Sequence, residues 1–367
     1  MRIGITGARG LLGTHLHAYL HGQPGVEVRA GGREIYADQA ALREFVDGCD
    51  AIVHLAGMNR GDDAELARTN VRLCEDLVTA LEAAKAAPHV LFSSSTHIDR
   101  DSAYGASKRQ AAQVLRDWAQ RSGGAFTNVI LPGVFGEGGR PFYNSVVSTF
   151  CSQLARGETP TANAEAMVEQ VHAQQVARHV HALIGRETGD VRVEGTRLSV
   201  GDLLGRLRDF QRLYDVHVIP DVRAEFDRDL FNTYRAYLYP QRYPVPLTLH
   251  TDDRGSLFEA VKSHNGGQSF MSTTHPGVTR GNHYHTRKIE RFLVTGGEAE
   301  IRLRHVTGTE VQRFRVSGEV PAYVDIPTLH THSITNVGPG VLTTLFWTHE
   351  LFDPAHPDTY PEPVETA

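Results

Sequence analysis

The string Thr6-Gly7-Ala8-Arg9-Gly10-Leu11-Leu12-Gly13 follows the strand-like Arg2-Ile3-Gly4-Ile5 and opens a helical pattern, and few folds accept that order of strand, glycine turn and helix. Gly7 permits the tight turn, Gly10 lets backbone approach a pyrophosphate, and Gly13 lets the helix pack on the strand. The helix would begin at Leu11, with Arg9 inside the turn and the N–H groups of its first turn facing the phosphate charge. Short apolar runs then alternate with helical stretches, the pattern of a parallel sheet built from strand, helix and strand. It predicts strands at 2–6, 26–30, 51–55, 89–92 and 127–131, and helices at 11–20, 64–87 and 104–121. Helical signal dominates from 142 to about 239, clearest at 145–154, 171–183, 200–213 and 225–237, where a substrate subdomain would be built.

At roughly 150 residues per domain, 367 residues predict two domains. The boundary falls at Pro240, Pro244 and Pro246, which cannot continue a helix, and divides the chain into 1–242 and 243–367. Beyond it the periodicity is two, with strands expected at 257–262, 269–273, 289–294, 298–304, 311–316, 322–326 and 341–349, a small jelly-roll barrel. Residues after Phe352 are Pro-rich and read as a surface tail. A net charge of -6 offers no basic footprint for nucleic acid and no cluster for an anionic membrane. Three widely spaced cysteines, Cys49, Cys74 and Cys151, fit a reducing cytosol, and with no long apolar run or leader pattern the expectation is a soluble, cytoplasmic protein.

About 20 residues past the glycine turn an NAD enzyme places an acid on the ribose hydroxyl, whereas here the second strand ends at Gly31-Gly32-Arg33. Arg33, with Arg9, suits the extra phosphate of NADP, and Glu34 stands against it. Phe92-Ser93-Ser94-Ser95 ends a later strand and Tyr104-Gly105-Ala106-Ser107-Lys108 opens the next helix. Tyr104 and Lys108, four apart, share a helical face, so the ammonium can lower the phenol pKa while a serine hydroxyl polarises a carbonyl. This order resembles the extended short-chain dehydrogenases. The resemblance implies a Rossmann-type α/β domain with Ser95, Tyr104 and Lys108 as catalytic residues, Ser95 matching the third serine of the nucleotide-sugar epimerases. It also implies that Leu55, Ala56 and Gly57 of His54-Leu55-Ala56-Gly57 line the adenine side, and that Pro132-Gly133-Val134-Phe135-Gly136 lies beside the nicotinamide. Asn144 either hydrogen-bonds the sugar nucleotide or caps a helix. Only eight residues separate Ser95 from Tyr104, where the extended enzymes usually insert a longer loop, so a more open site is expected.

In the second half, Gly277, His283, His285, Glu290 and Gly297 match the first cupin motif at every position, and Pro327, His332 and Asn336 follow the second. The glycine usual in that second motif is Leu329, which predicts a turn of changed shape. His283 and His285 share a strand face, so with Glu290 and His332 they offer four N/O donors to one metal ion. Asp252-Asp253-Arg254-Gly255-Ser256 and Arg280-Gly281-Asn282-His283 also resemble the metal-independent cupins that epimerise dTDP-4-keto sugars. There the histidine of R-G-x-H is the general base, and Arg254 and Arg280 would face substrate. A ligated imidazole has its lone pair on the metal, so His283 is ligand or base; if ligand, His330, Tyr284, Tyr323 and Lys288 are the candidate bases.

Both halves in this order resemble the bifunctional reductase-epimerases of capsular polysaccharide synthesis, on the route to UDP-N-acetyl-L-fucosamine, with Tyr143-Asn144-Ser145-Val146-Val147 and Thr331-His332-Ser333-Ile334 among the supporting strings. That resemblance implies an extended short-chain dehydrogenase domain joined to an all-β cupin. The cupin would epimerise a UDP-4-keto-6-deoxy-N-acetyl sugar at carbon 3, and NADPH reduction at carbon 4 would follow. It further implies zinc and a homodimer. Two other readings stay open: a reductase or 4-epimerase with a structural cupin, and an NADP-responsive scaffold, which the Ser-Tyr-Lys set disfavours.

Overall fold

Ile3 and Ile5 have no exposed surface in β1 (Arg2–Thr6), because that strand lies inside a parallel sheet covered on both faces. The computed structural model describes residues 1–186, 188–253 and 255–365. Its further strands include β2 (Glu27–Gly31), β3 (Ala51–His54), β4 (His89–Ser95) and β5 (Ala125–Leu131), and its helices α1 (Leu11–His21), α2 (Gln39–Val46), α3 (Asp63–Ala84) and α4 (Ala103–Ser122). The sheet runs β2, β1, β3, β4, β5 and then the edge strand Gly189–Arg192, every pair parallel. Alternation divides the core: Ile52 and Val90 face α2, α3 and α4, while Val53 and Leu91 face α1 and the helix Ala173–Leu183. This is the Rossmann-like architecture expected.

Chain order reverses between β1 and β3, so a crevice opens at their carboxyl ends, where open α/β sheets bind ligands. One expected helix starts late. Residues 167–172 form the strand Met167–His172, parallel to Gly133–Phe135 and antiparallel to Thr196–Ser199, and the helix begins only at Ala173. Val168 and Val171 suit a strand, and sheet pairing overrides the helical spacing.

The chain divides into two compact units, residues 1–149 with 166–199, and residues 150–165 with the chain from 200 onward. In the second unit, one antiparallel sheet runs Val245–Pro246, Ala322–Ile326, Glu290–Gly296, Leu342–Thr348 and Gln268–Thr274. The other runs Val311–Ser317, Glu298–His305, His330–Asn336, Thr279–Tyr284 and Tyr360–Pro361. Phe292, Val324 and Ile326 of the first and Ile301, Phe314 and Ile334 of the second share one core. The expected strand at 257–262 is replaced by two short ones, Gly255–Leu257 and Lys262–Ser263.

The division at 242/243 read from the prolines differs from these units, because the helices Val200–Asp215 and Glu225–Ala236 pack with the sheets. Tyr214 donates to Asp325 Oδ2 at 2.5 Å, Asn232 to the Arg287 carbonyl at 2.9 Å and Arg235 to that of Ile326 at 3.3 Å. Asp325, fully buried, also accepts from Arg291 Nε at 2.6 Å and Nη2 at 2.9 Å, and the guanidinium lies 3.6 Å from the Tyr323 ring centre. The expected surface tail is likewise structural. Asp358 is 3% and Val364 1% exposed, and Tyr360–Pro361 pairs with Tyr284 and His283.

Asp325→Ala leaves the Arg291 charge buried and unpaired, which costs about 3–5 kcal/mol. Of the two tryptophans, Trp118 belongs to the first unit and Trp347 to the second, so unfolding followed by Trp347 fluorescence in a Trp118→Phe background should show that loss.

Candidate active sites

Ser95 ends β4 and caps the short 3-10 turn Thr96–Asp99, its Oγ accepting from His97 N at 3.3 Å. Ser102 then caps α4 by accepting from Gly105 N at 3.1 Å. The connection is compressed: a Cβ on Gly105 would lie 2.2 Å from the His97 carbonyl. Lys108, 5% exposed, donates to the Ser93 carbonyl at 2.8 Å, with its ammonium 4.6 Å from the Phe92 ring centre and 5.9 Å from that of Tyr104. Burial lowers the Lys108 pKa to about 8. Burial also raises the Tyr104 phenol, opposed by its hydrogen bond with Ser95. Ser95, Tyr104 and Lys108 are thus brought together, and Ser95 rather than Ser93 is the serine that meets the phenol.

The glycine turn closes the same crevice. Gly7, at φ +68°, could carry no side chain, since a Cβ would sit 2.8 Å from Ala56 N. A Cβ on Gly13 would lie 2.4 Å from the Gly7 carbonyl. Gly10 caps α1 with no side-chain acceptor, so the first-turn N–H groups of Leu11, Leu12 and Gly13, ahead of the Thr14 bond to the Gly10 carbonyl, are left for a ligand. Leu55 N and Ala56 N both donate to Thr6 Oγ1 at 3.2 Å, and a Cβ on Gly57 would stand 3.5 Å from Lys108 Nζ. Arg33 is exposed at the end of the β2 turn, while Arg9 lies 3.3 Å from Glu34, whose carboxylate accepts from Gly32 N at 2.7 Å. Asn144 donates to the Asn59 carbonyl at 3.1 Å, and the neighbouring Ser145, accepting from Ser148 N at 3.2 Å, is the residue that caps the next helix.

In the second unit, the ligand atoms of His283, His285, Glu290 and His332 all lie within 4.8 Å of one another. His283 pairs directly with His332 across antiparallel strands, beside a bulge after Gly281. His285 Nε2 is 3.2 Å and His332 Nε2 3.1 Å from Glu290 Oε2. His332 Nδ1 donates to the His330 carbonyl at 3.2 Å, turning Nε2 inward, where it is buried beside Glu290 Oε2 with no aligned hydrogen-bond partner. Burial, then the neighbouring His332 and His285, push the His283 pKa down to about 3. Leu329, which stands where the second cupin motif has glycine, sits at φ +62°, a left-handed backbone that glycine adopts most readily. Its N–H donates to the His285 carbonyl at 2.8 Å and its carbonyl accepts from Val306 at 2.9 Å.

Residues 3–194 match the model of the NAD dependent epimerase/dehydratase family. The chain belongs to that family. Residues 250–360 of this epimerase/dehydratase chain match the Polysaccharide biosynthesis C-terminal domain. It is 33% identical, over 98% of both chains, to the UDP-2-acetamido-2,6-beta-L-arabino-hexul-4-ose reductase of Pseudomonas aeruginosa. It is also similar to the capsular polysaccharide assembling protein CapF from Staphylococcus aureus, at 32% identity over 99% of this chain and 100% of that one, with a TM-score of 0.63. A likeness of fold alone extends to the UDP-glucose 4-epimerase of Thermotoga maritima, at 20% identity over 58% of this chain and 83% of that one, with a TM-score of 0.52.

Other expected residues of this epimerase/dehydratase chain have different partners. Arg254 lies outside the described residues. Arg280 donates to Thr274 Oγ1 and to the Thr273 carbonyl, both at 3.0 Å. Tyr284 stacks on Tyr360, Lys288 donates to the Pro357 carbonyl at 2.8 Å, Tyr323 lies under Arg291, and His330 packs on Tyr239 and His305. Asn70 escaped the sequence reading because it sits within α3 with no motif around it. Buried at 3% exposure, it accepts from Met58 N at 2.7 Å and donates to the Met58 carbonyl at 2.9 Å and Ser107 Oγ at 3.1 Å. Ser107 in turn donates to the Tyr104 carbonyl at 2.8 Å, so Asn70 joins the loop after Gly57 to the first turn of α4. Asn70→Leu strands these buried groups and should cost roughly 1–3 kcal/mol, read by Trp118 fluorescence during unfolding in a Trp347→Phe background.

Proposed function

We propose that this chain is a two-site nucleotide-sugar enzyme. Its second unit, a cupin, epimerises a UDP-4-keto-6-deoxy-N-acetylhexosamine at carbon 3. Its first unit reduces the ketone at carbon 4 with NADPH, giving UDP-2-acetamido-2,6-dideoxy-L-talose for capsule or O-antigen synthesis. The observation that carries this reading is the end-to-end likeness to the Pseudomonas aeruginosa 4-ulose reductase, which spans both units. The meeting of Ser95, Tyr104 and Lys108 beside an uncapped glycine turn supports it.

Bound NADPH supplies the hydride to carbon 4. Tyr104 gives its phenolic proton to the carbonyl oxygen, which becomes the hydroxyl, while Ser95 orients that oxygen by hydrogen bonding. Lys108 holds the ribose, and its charge stabilises the tyrosinate left behind. Gly7, Gly10, Leu11 and Gly13 cradle the pyrophosphate, Leu55, Ala56 and Gly57 line the adenine side, and Arg9 and Arg33 favour the extra phosphate of NADP. Asn144, Arg254 and Arg280 are the candidates to hold substrate.

The order of steps follows from acidity. A hydrogen beside a ketone is acidic because its anion delocalises onto oxygen, and reduction removes that acidity, so epimerisation comes first. The donor set of the second site, three imidazoles and a carboxylate with His332 Nε2 buried and unsatisfied, fits zinc. His283, His285, Glu290 and His332 would hold the ion, which supplies Lewis acidity toward developing negative charge or braces the strands. In this reading His283 is a ligand, and the base is another group.

The full-length protein incubated with the 4-keto sugar nucleotide in deuterated water, without NADPH, should incorporate deuterium at carbon 3. Absence of deuterium from zinc-loaded protein that still reduces the pre-epimerised sugar would leave a reductase with a structural second unit. Tyr104→Phe should lower turnover by about 10²–10⁴-fold while NADPH binding persists. Because Lys108 is charged below its pKa of about 8 and neutral above it, the rate of NADPH oxidation should fall as pH rises through about 8. In Lys108→Met the rate should be low throughout and that fall absent.

A further inference from the structure

His285 is held from behind. Its Nδ1 lies 2.6 Å from the carbonyl oxygen of Asp358, and because a carbonyl only accepts, Nδ1 carries the hydrogen. The remaining nitrogen, Nε2, is the one that faces Glu290 at 3.2 Å. The position of that carbonyl is set by the side chain of the same aspartate. Asp358 Oδ1 accepts from Thr286 N at 3.1 Å and Thr286 Oγ1 at 2.6 Å, and Oδ2 accepts from Arg287 N and Lys288 N, both at 2.9 Å. These donors belong to the three residues directly after His285, so the chain leaving the histidine wraps the carboxylate whose own carbonyl fixes the ring. Asp358 holds this place at φ +43°, a left-handed backbone that a residue other than glycine adopts only where its surroundings impose it. Glu362 N donates to the Asn282 carbonyl at 2.9 Å, and Tyr360 stacks on Tyr284, so the tail is anchored on the strand that carries His283.

We infer that Asp358 is a positioning residue for the histidine cluster, its carboxylate gathering the 286–288 backbone and its carbonyl locking His285 with Nε2 turned inward. The inference rests on the reading of that cluster as the ion-binding centre of the epimerase. An outer partner of this kind sets ring orientation and raises ligand basicity without touching the ion or the substrate.

The test uses full-length protein carrying ¹⁵N-histidine, with zinc as the probe. In the wild type the His285 Nδ1–H should appear as a slowly exchanging ring proton both without and with zinc. In Asp358→Ala that proton should exchange with water, and zinc affinity measured by chelator competition should fall roughly 10–100-fold. Asp358→Asn, which keeps one acceptor oxygen, should recover part of the loss. If Asp358→Ala does not fold, Thr286→Val removes one of the four bonds and should show a smaller change in the same direction. A wild-type ring without hydrogen on Nδ1, or unchanged zinc affinity in folded Asp358→Ala, would overturn the inference. A wild-type chain that takes up no zinc defeats the metal reading alone, since the ring-proton measurement made without zinc still decides the role of Asp358.

Discussion

A carboxylate taken out of water must be met by donors or by neighbouring cationic groups, and the second unit is organised around three buried carboxylates. Asp325 collects Arg291 and Tyr214, which ties the helix Val200–Asp215 to the sheet. Asp358 collects three backbone N–H groups and a hydroxyl, which ties the tail to the 286–288 turn. Glu290 faces Nε2 of His285 and His332 at 3.2 and 3.1 Å, and these neighbours hold its carboxyl far below the usual range against the cost of burial. Each anchor joins segments distant in sequence, so apolar packing supplies the bulk of the cohesion while these carboxylates decide which segment lies where.

The first unit depends on a different economy of space. Lys108 gives up hydration to lie beneath Tyr104, and the Ser93 carbonyl and the Phe92 ring replace part of what water supplied. Strand alternation puts Ser93 and Ser95 on one face of β4, and the division of labour is by atom: the carbonyl of the former holds the lysine, the hydroxyl of the latter meets the tyrosine. Asn70 holds the neighbouring loop at Met58, and Gly57 of that loop packs beside the ammonium.

Much of this was legible in the residues alone, for a physical reason. β1 to β5 and α1 to α4 bury side chains at periods of two and 3.6, and the glycine turn is written in backbone requirements that few residues meet. Ser95, Tyr104 and Lys108, and the four residues of the histidine cluster, were found because their spacing is chemical as well as structural. The attachment of residues 200–236 to the sheets was not legible, because it turns on Tyr214, Asn232 and Arg235, polar groups whose partners lie up to 111 positions away. The tail hid for a related reason. Its burial runs through one carboxylate and a two-residue strand, which leave no period to read.

Leu329 carries a broader lesson about glycine in motifs. A left-handed backbone costs a leucine roughly 1–2 kcal/mol, and burying its side chain returns about 1.5–3 kcal/mol. Leu329, 1% exposed and held by hydrogen bonds to His285 and Val306, has the burial by which the second quantity offsets the first. The glycine of such a pattern is therefore a statement about a torsion angle, and a chain can depart from its letter while its neighbours keep the angle in place.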